Sequence, residues 1–376
     1  MDRYLDALQQ SKAEGIYRTI PEQSLRGKYV ELAGNRYLNL NSNDYLGLLE
    51  LPLWQSFLEE KGKHFHPSSA SSRLLTGNDL PFWQFEQTLR ERYHAESALL
   101  WDSGYHANSG IIPVLALPDT LFIADKLVHA SIIDGLRLSG APFQRYRHND
   151  LEHLRRLLER FADDYRTIWI VTESLFSMDG DFAPLREIVA LKALYPHLHI
   201  YVDEAHAVGV CGEGGLGYTN QLGLLPEVDL LIGTLGKALG SVGAYSIQSD
   251  TLRQLLVSRA RPLIFSTALP PINVAWSHYI FEQVVQMEER RAHLRRLIQL
   301  FNHQLKSDYQ SQIIPIIVPG EERVTRAAER FQSQGFYIRP IRKPTVPAGS
   351  ERLRISLTAA MTEEEVSKIA DLCRQI

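Results

Sequence analysis

The feature that most narrows the possible folds is a rhythm in the middle of the chain. Short apolar, β-rich runs alternate there with stretches of helical pattern. The runs are SALLWDS (97–103), TLFIAD (120–125), FQRYRH (143–148), TIWIVTE (167–173), HIYVDE (199–204) and DLLIGT (229–234). Several are apolar without alternation, as expected of strands buried on both faces. Between the third and fourth runs, Leu151, Leu154, Leu157, Leu158 and Phe161 share one helical face, and Asp150 stands where a side chain caps the first turn. Strands alternating with helices predict an α/β fold with a mostly parallel central sheet.

After Pro270 and Pro271 the texture changes. A long helical pattern over 272–305 leads into QIIPIIVPG, a second helix-like run, FYIRPIRKPTVPAG and ERLRISLT. The expected organisation is an N-terminal arm over 1–45, a large domain over 46–275 and a smaller C-terminal α+β domain over 276–376. That last part has an ordinary domain size of roughly 100 residues. The net charge is -4 and the Lys and Arg residues are dispersed, so there is no basic field for nucleic acid. Only Cys211 and Cys373 are present, too few for a disulfide framework. The start, MDRYLDALQQSKAEG, has no apolar core of a signal peptide, and no apolar stretch reaches membrane-spanning length. The expectation is a cytoplasmic protein without membrane contact.

In open α/β sheets, ligands bind beyond the carboxyl ends of the strands. The ends here deliver Ser103-Gly104-Tyr105, Asp125 through His129, Glu173-Ser174 with Ser177 beyond, Asp203-Glu204-Ala205-His206, and Thr234-Leu235-Gly236-Lys237. Asp203 and Lys237 suggest specific chemistry. Pyridoxal phosphate needs an amine to hold it and an acid beside its ring nitrogen, so that the ring can accept electrons from a substrate carbanion. Thr234 and the amides of Gly104 and Tyr105 suit phosphate oxygens. Taken singly, Lys237 reads as a loop residue, Asp203 as a helix cap and His206 as a packed polar group. Together they share no structural purpose.

VDEAHAVGVCGEGGLG, TLGKALGSVGAY and RPLIFSTALPP together resemble the α-oxoamine synthases, pyridoxal-phosphate enzymes of fold type I. The resemblance runs nearly end to end through NLNSNDYLGL (39–48), SSRLLTGN (71–78), SGYHAN (103–108), HASIIDG (129–135), ESLFSMDGD (173–181) and TVPAGSERLRISLTAA (345–360). It implies that Lys237 carries the cofactor and moves the Cα proton. Asp203 would pair with the ring nitrogen, His206 would lie beside the ring oxygen, and His129 would stack on the ring. Gly104, Tyr105, Ser177 and Thr234 would hold the cofactor. Thr267 would reach the phosphate bound by a neighbouring copy, which implies a homodimer. Arg354 would take the amino-acid carboxylate, a task suited to a guanidinium fork. Asn43, Arg18 and Thr345 would contact substrate.

Family members join different amino acids to different acyl thioesters, carried on coenzyme A or a carrier protein. The length and the TVPAG segment point to the branch that uses L-alanine and a pimeloyl thioester. Glycine C-acetyltransferase is the main alternative. A non-catalytic partner subunit of the same fold would be expected to lack the lysine. Four positions depart from the family pattern: Ala70-Ser71 where Gly-Gly is common, and Phe82 and Met361 where His is usual. Gly212, Gly214 and Gly217 spell a dinucleotide-like G-x-G-x-x-G, but the run neither follows its strand directly nor opens a patterned helix. His197, His199, Asp203, Glu204, His206 and Cys211 match no zinc spacing, so no metal is expected.

Overall fold

A computed structural model describes residues 1–376. The chain forms two compact units. The larger comprises Leu51–Ser177 and Asp181–Ala292; the smaller comprises Met1–Glu50, Met178–Gly180 and His293–Ile376. The division differs from the one expected. The N-terminal stretch does not stand apart, because its strand Asn35–Asn39 pairs in parallel with Phe336–Tyr337 near the other end of the chain.

The larger unit is built on seven strands: β1 (Ser97–Trp101), β2 (Thr120–Asp125), β3 (Phe143–Tyr146), β4 (Thr167–Glu173), β5 (Leu198–Asp203), β6 (Leu230–Thr234) and β7 (Ala244–Gln248). Their order is β1-β7-β6-β5-β4-β2-β3. All pairings are parallel except those of β7, which runs antiparallel to β1 and β6. Successive strand residues enter opposite cores. Phe122, Ala124, Trp169, Val171, Tyr201 and Ile232 pack with Ile111, Ile112, Ile132 and Leu136 from helices on one face. Leu121, Ile123, Ile168, Ile170, Ile200 and Val202 pack with Leu154, Leu158, Leu185 and Ile188 on the other. Burying such a side chain is worth about 1.5–3 kcal/mol, so the inner strands are anchored from both sides.

The predicted helix forms over Leu151–Phe161, and Asp150 accepts the amide of His153 as its cap. The long helical pattern is broken in two, Pro271–Val285 and Glu288–Leu305. At the break, the buried Arg291 guanidinium turns back to donate to the carbonyls of Val284 (2.7 Å) and Val285 (3.1 Å), adding to the backbone bonds that close the first helix. The smaller unit carries a four-stranded sheet and a three-stranded sheet, the latter centred on Arg352–Ser356. No helix is long and apolar enough to cross a membrane.

β7 was not foreseen. It lies between β1 and β6, opposite Gly233, where a methyl group would stand 2.1 Å from the Tyr245 ring. Tyr245 is fully buried and hydrogen-bonded to Tyr93 at 2.6 Å, so its ring cannot retreat. Gly233→Ala is therefore expected to cost about 1–3 kcal/mol, the usual penalty of overpacking. A urea titration with an unchanged midpoint would contradict this.

Candidate active site

The carboxyl ends of the parallel strands gather the polar residues of the larger unit. Asp203 ends β5 and is 5% exposed. One of its oxygens accepts the Ala205 amide (2.9 Å), and the other accepts the Asn108 side chain (2.8 Å). Asn108 is held in turn. Its oxygen accepts the Tyr201 hydroxyl (2.6 Å), and its amide also donates to Ser131 Oγ (2.9 Å). Ser131 meets His129 Nδ1 through its hydroxyl (2.8 Å) and its amide (3.2 Å). Since Nδ1 accepts, a neutral His129 carries its proton on Nε2.

His129 caps the helix Ala130–Ser139. Burial lowers its pKa, Asp203 offsets this in part and Lys237 adds to it, so the ring is neutral at neutral pH. Glu173, the last residue of β4, stands in register beside Asp203. Burial first, and the Asp203 charge second, hold its pKa far above the carboxylate range. Its Oε1 is buried without a hydrogen-bond partner. Burial and the second carboxyl group therefore favour the protonated form of Glu173, since one proton relieves a like-charge pair.

Lys237 follows β6 and is half-buried, and its charge acts on both His129 and Glu173. Thr234 closes β6. A methyl group added to Gly104 would lie 3.8 Å from Thr234 Oγ1, so that strand end and the start of the helix Gly104–Leu115 are neighbours. Ser103 caps this helix by accepting the His106 amide. The Tyr105 hydroxyl donates to Asp134. His206 is buried, Ser177 half-buried and Thr267 exposed. An amine, a buried acid and a polar cradle at a helix start suit a phosphorylated aromatic aldehyde: the first can bind the aldehyde, the second a ring cation, the third the phosphate.

The other predicted residues belong to the smaller unit and fall into two pairs. Arg354, 6% exposed, donates to Asn43 Oδ1 (3.2 Å), to Ser356 Oγ (2.9 Å) and to the Tyr45 hydroxyl (3.1 Å). Arg18 donates to Thr345 Oγ1 at 2.9 Å. Sequence reasoning passed over Asn108, Ser131, Tyr201 and Tyr45. Asn108 sits in the quoted SGYHAN string and Ser131 in HASIIDG, so those strings were the available signal.

The glycine-rich run wraps a buried acid. Glu204 accepts the amides of Tyr218 (2.8 Å) and Thr219 (2.6 Å), the Thr219 hydroxyl, and the Ser174 hydroxyl (2.7 Å). Gly217 has φ +107, and a methyl there would come within 2.7 Å of Glu204 Oε2. His199 lies at the opposite end of β5 from Asp203, against Asp229 (3.3 Å), and His197 meets the Ala162 carbonyl (3.0 Å). Of the departures, Ala70 has a left-handed backbone (φ +49), natural to glycine. Phe82 is buried beneath the Arg73 guanidinium, and Met361 is buried with its carbonyl accepting His293.

The sequence model of the aminotransferase class I and II family matches residues 35–372. A Haemophilus influenzae protein named "Putative 8-amino-7-oxononanoate synthase" is 49% identical over 380 residues, covering 98% of this chain and 99% of that one. A Neisseria meningitidis serogroup C protein of the same name is 48% identical over 378 residues, with the same coverage. Among solved structures, the serine palmitoyltransferase of S. paucimobilis, with bound PLP and myriocin, matches with TM-score 0.89 and 28% identity over 100% of this chain and 96% of that one. The 8-amino-7-oxononanoate synthase of Francisella tularensis matches with TM-score 0.73 and 26% identity, over 90% and 97%.

The protonated state of Glu173 has a measurable consequence. A raised folded-state pKa gives stability that is present at low pH and lost as the pH rises above the unfolded value of 4.5. The stability advantage of the wild type over Glu173→Gln should therefore shrink between pH 4 and pH 8. A constant or growing advantage would mean that Glu173 is ionised.

Proposed function

This chain belongs to the aminotransferase class I and II family, and from that premise we propose that it joins L-alanine to a pimeloyl thioester. The thioester's C–S bond breaks to release the free thiol, carbon dioxide is lost, and 8-amino-7-oxononanoate, a precursor of biotin, is formed. The protein is a pyridoxal-phosphate acyltransferase related to the α-oxoamine synthases. The observation that carries the reading is the arrangement at one edge of one sheet: a buried Asp203 in register with Glu173 and linked through Asn108 and Ser131 to His129, with Lys237 just past the end of the neighbouring strand β6. The relatives at 48–49% identity over nearly the whole chain support the choice of substrates.

Pyridoxal phosphate, when bound, supplies an electron sink for the charge left at the amino-acid Cα. Lys237 would hold it and move the Cα proton. Asp203, kept turned by Asn108, would face the ring nitrogen, and His206 would lie beside the ring oxygen. His129 would lie on the ring face, its Nε2 proton available to the substrate carboxylate or carbonyl. The amides of Gly104 and Tyr105 and the hydroxyl of Thr234 would take the phosphate, with Ser177 as a further contact. Thr267, exposed, would serve the phosphate of a second copy, which makes the active form a homodimer. Arg354 would grip the amino-acid carboxylate next to Asn43, and the Arg18–Thr345 pair would contact the substrate. The donor is a thioester of coenzyme A or of a carrier protein.

Two experiments test this. Lys237→Ala should abolish turnover and the visible absorption of the lysine-bound cofactor, and borohydride reduction of the wild type should label that residue; turnover near wild type would refute the assignment. Alanine, glycine and serine, each paired with acetyl, succinyl, pimeloyl and palmitoyl thioesters, should show preference for alanine with pimeloyl. Preference for glycine with acetyl would make the protein a glycine C-acetyltransferase.

A further inference from the structure

One partly buried ionic cluster of the larger unit has no part in the chemistry above. It centres on His148, in the turn that follows β3. The ring lies between two carboxylates, with Nδ1 3.0 Å from Asp125 Oδ1 and Nε2 2.9 Å from Asp181 Oδ2. Its edge meets the Phe176 ring at 4.4 Å and 85°. Asn149 reinforces both contacts. Its amide donates to Asp125 Oδ2 (2.9 Å), and its side chain donates to Asp181 Oδ2 (2.8 Å) and to the Phe182 carbonyl (3.2 Å).

A neutral imidazole has one donor, so meeting two carboxylates at once calls for the imidazolium. Burial opposes the charge, but the hydrogen bonds to Asp125 and Asp181 outweigh it and push the pKa up to about 10. The other titratable groups facing Asp125 are Tyr146 and Glu173, both of which feel its charge.

Each carboxylate sits at the root of a segment that carries a proposed cofactor contact. Asp125 is fully buried at the end of β2; its Oδ1 accepts the Leu127 amide (2.7 Å), and the chain reaches the helix cap His129 two residues later. Asp181 closes a loop in which its carbonyl accepts the Phe176 amide (3.0 Å), Leu175 bridges Phe182, and the Ala183 amide meets the Ser174 carbonyl (3.0 Å). Ser177 lies in that loop.

We propose that His148 is a positioning residue of the cofactor site, its ring fixing the segment that presents His129 against the loop that presents Ser177. This rests on the reading of those two residues as cofactor contacts. His148 itself touches no reacting atom.

The test uses the full-length protein with His148→Gln, which keeps a donor but loses the charge, together with Ser177→Ala and the double variant. His148→Gln should weaken pyridoxal-phosphate affinity about tenfold, the scale of coupling between neighbouring groups, and should shift the pH profile of the bound cofactor's visible absorption. In the Ser177→Ala background the same change should have less than about a twofold further effect, because coupled residues are not additive. In the cofactor-free protein it should speed amide exchange over 174–183 and 126–131. A lower melting temperature with unchanged affinity and spectrum would make His148 a structural brace only and overturn the proposal, provided that Ser177→Ala does weaken binding. If Ser177→Ala leaves affinity unchanged, the underlying reading of Ser177 fails and this proposal falls with it. Should His148→Gln not fold, Asp181→Asn, at the partly exposed end of the cluster, carries the same expectations.

Discussion

The larger unit is organised around the burial of the Asp203 carboxyl group at the end of a central strand. Withdrawing such a group from water costs several kcal/mol unless donors replace the lost hydration. The replacements here are a backbone amide two residues on and the side chain of Asn108. Asn108 is useful only while its own orientation is fixed, which Tyr201 and Ser131 accomplish, and Ser131 carries the chain of hydrogen bonds on to His129. One acid therefore constrains residues on β5, on the helix Gly104–Leu115 and at the start of the helix Ala130–Ser139. A polar network of this kind rigidifies a site only when its members are satisfied, and these links are met at hydrogen-bonding distance.

Much of this was legible in the chain. Unalternating apolar runs marked most of the strands because both sheet faces are covered, and the expected runs 120–125 and 167–173 match β2 and β4 residue for residue. Asp150 was readable as a cap because Asp before a helical face has a local job that needs no tertiary context. Long-range juxtaposition was less accessible. The strand order that sets Glu173 beside Asp203 is a property of the sheet, and no spacing between residues 173 and 203 encodes it. β7 escaped notice because AYSIQ carries Ser and Gln in a fully buried strand. Those side chains are acceptable inside because Trp101 Nε1 donates to Ser246 Oγ (2.9 Å) and Gln248 reaches Ser97 (3.2 Å). The split of the long helix comes with a buried Arg291, whose basic character in EERRAHLRR suggests a solvated face and not a buried cap.

The acids of the larger unit show three distinct solutions to one electrostatic problem. Glu204 keeps company with four donors, one from Ser174 and three supplied by a turn that needs glycine at 217 to bring its backbone close. Asp125 and Asp181 share an imidazolium. For Glu173, burial and the neighbouring acid favour keeping the proton over a second negative charge. Protonation is the solution that leaves no counter-ion in the way. A donor cage or an imidazolium beside Asp203 would compete with any cation brought to it. A neutral neighbour leaves that carboxyl group able to face a protonated ring nitrogen, which is the role proposed for it. The same logic explains a neutral His129: a charged imidazole against the ring face would compete with the ring for Asp203, whereas a neutral one with its proton on Nε2 offers a donor to the substrate and leaves the acid to the cofactor.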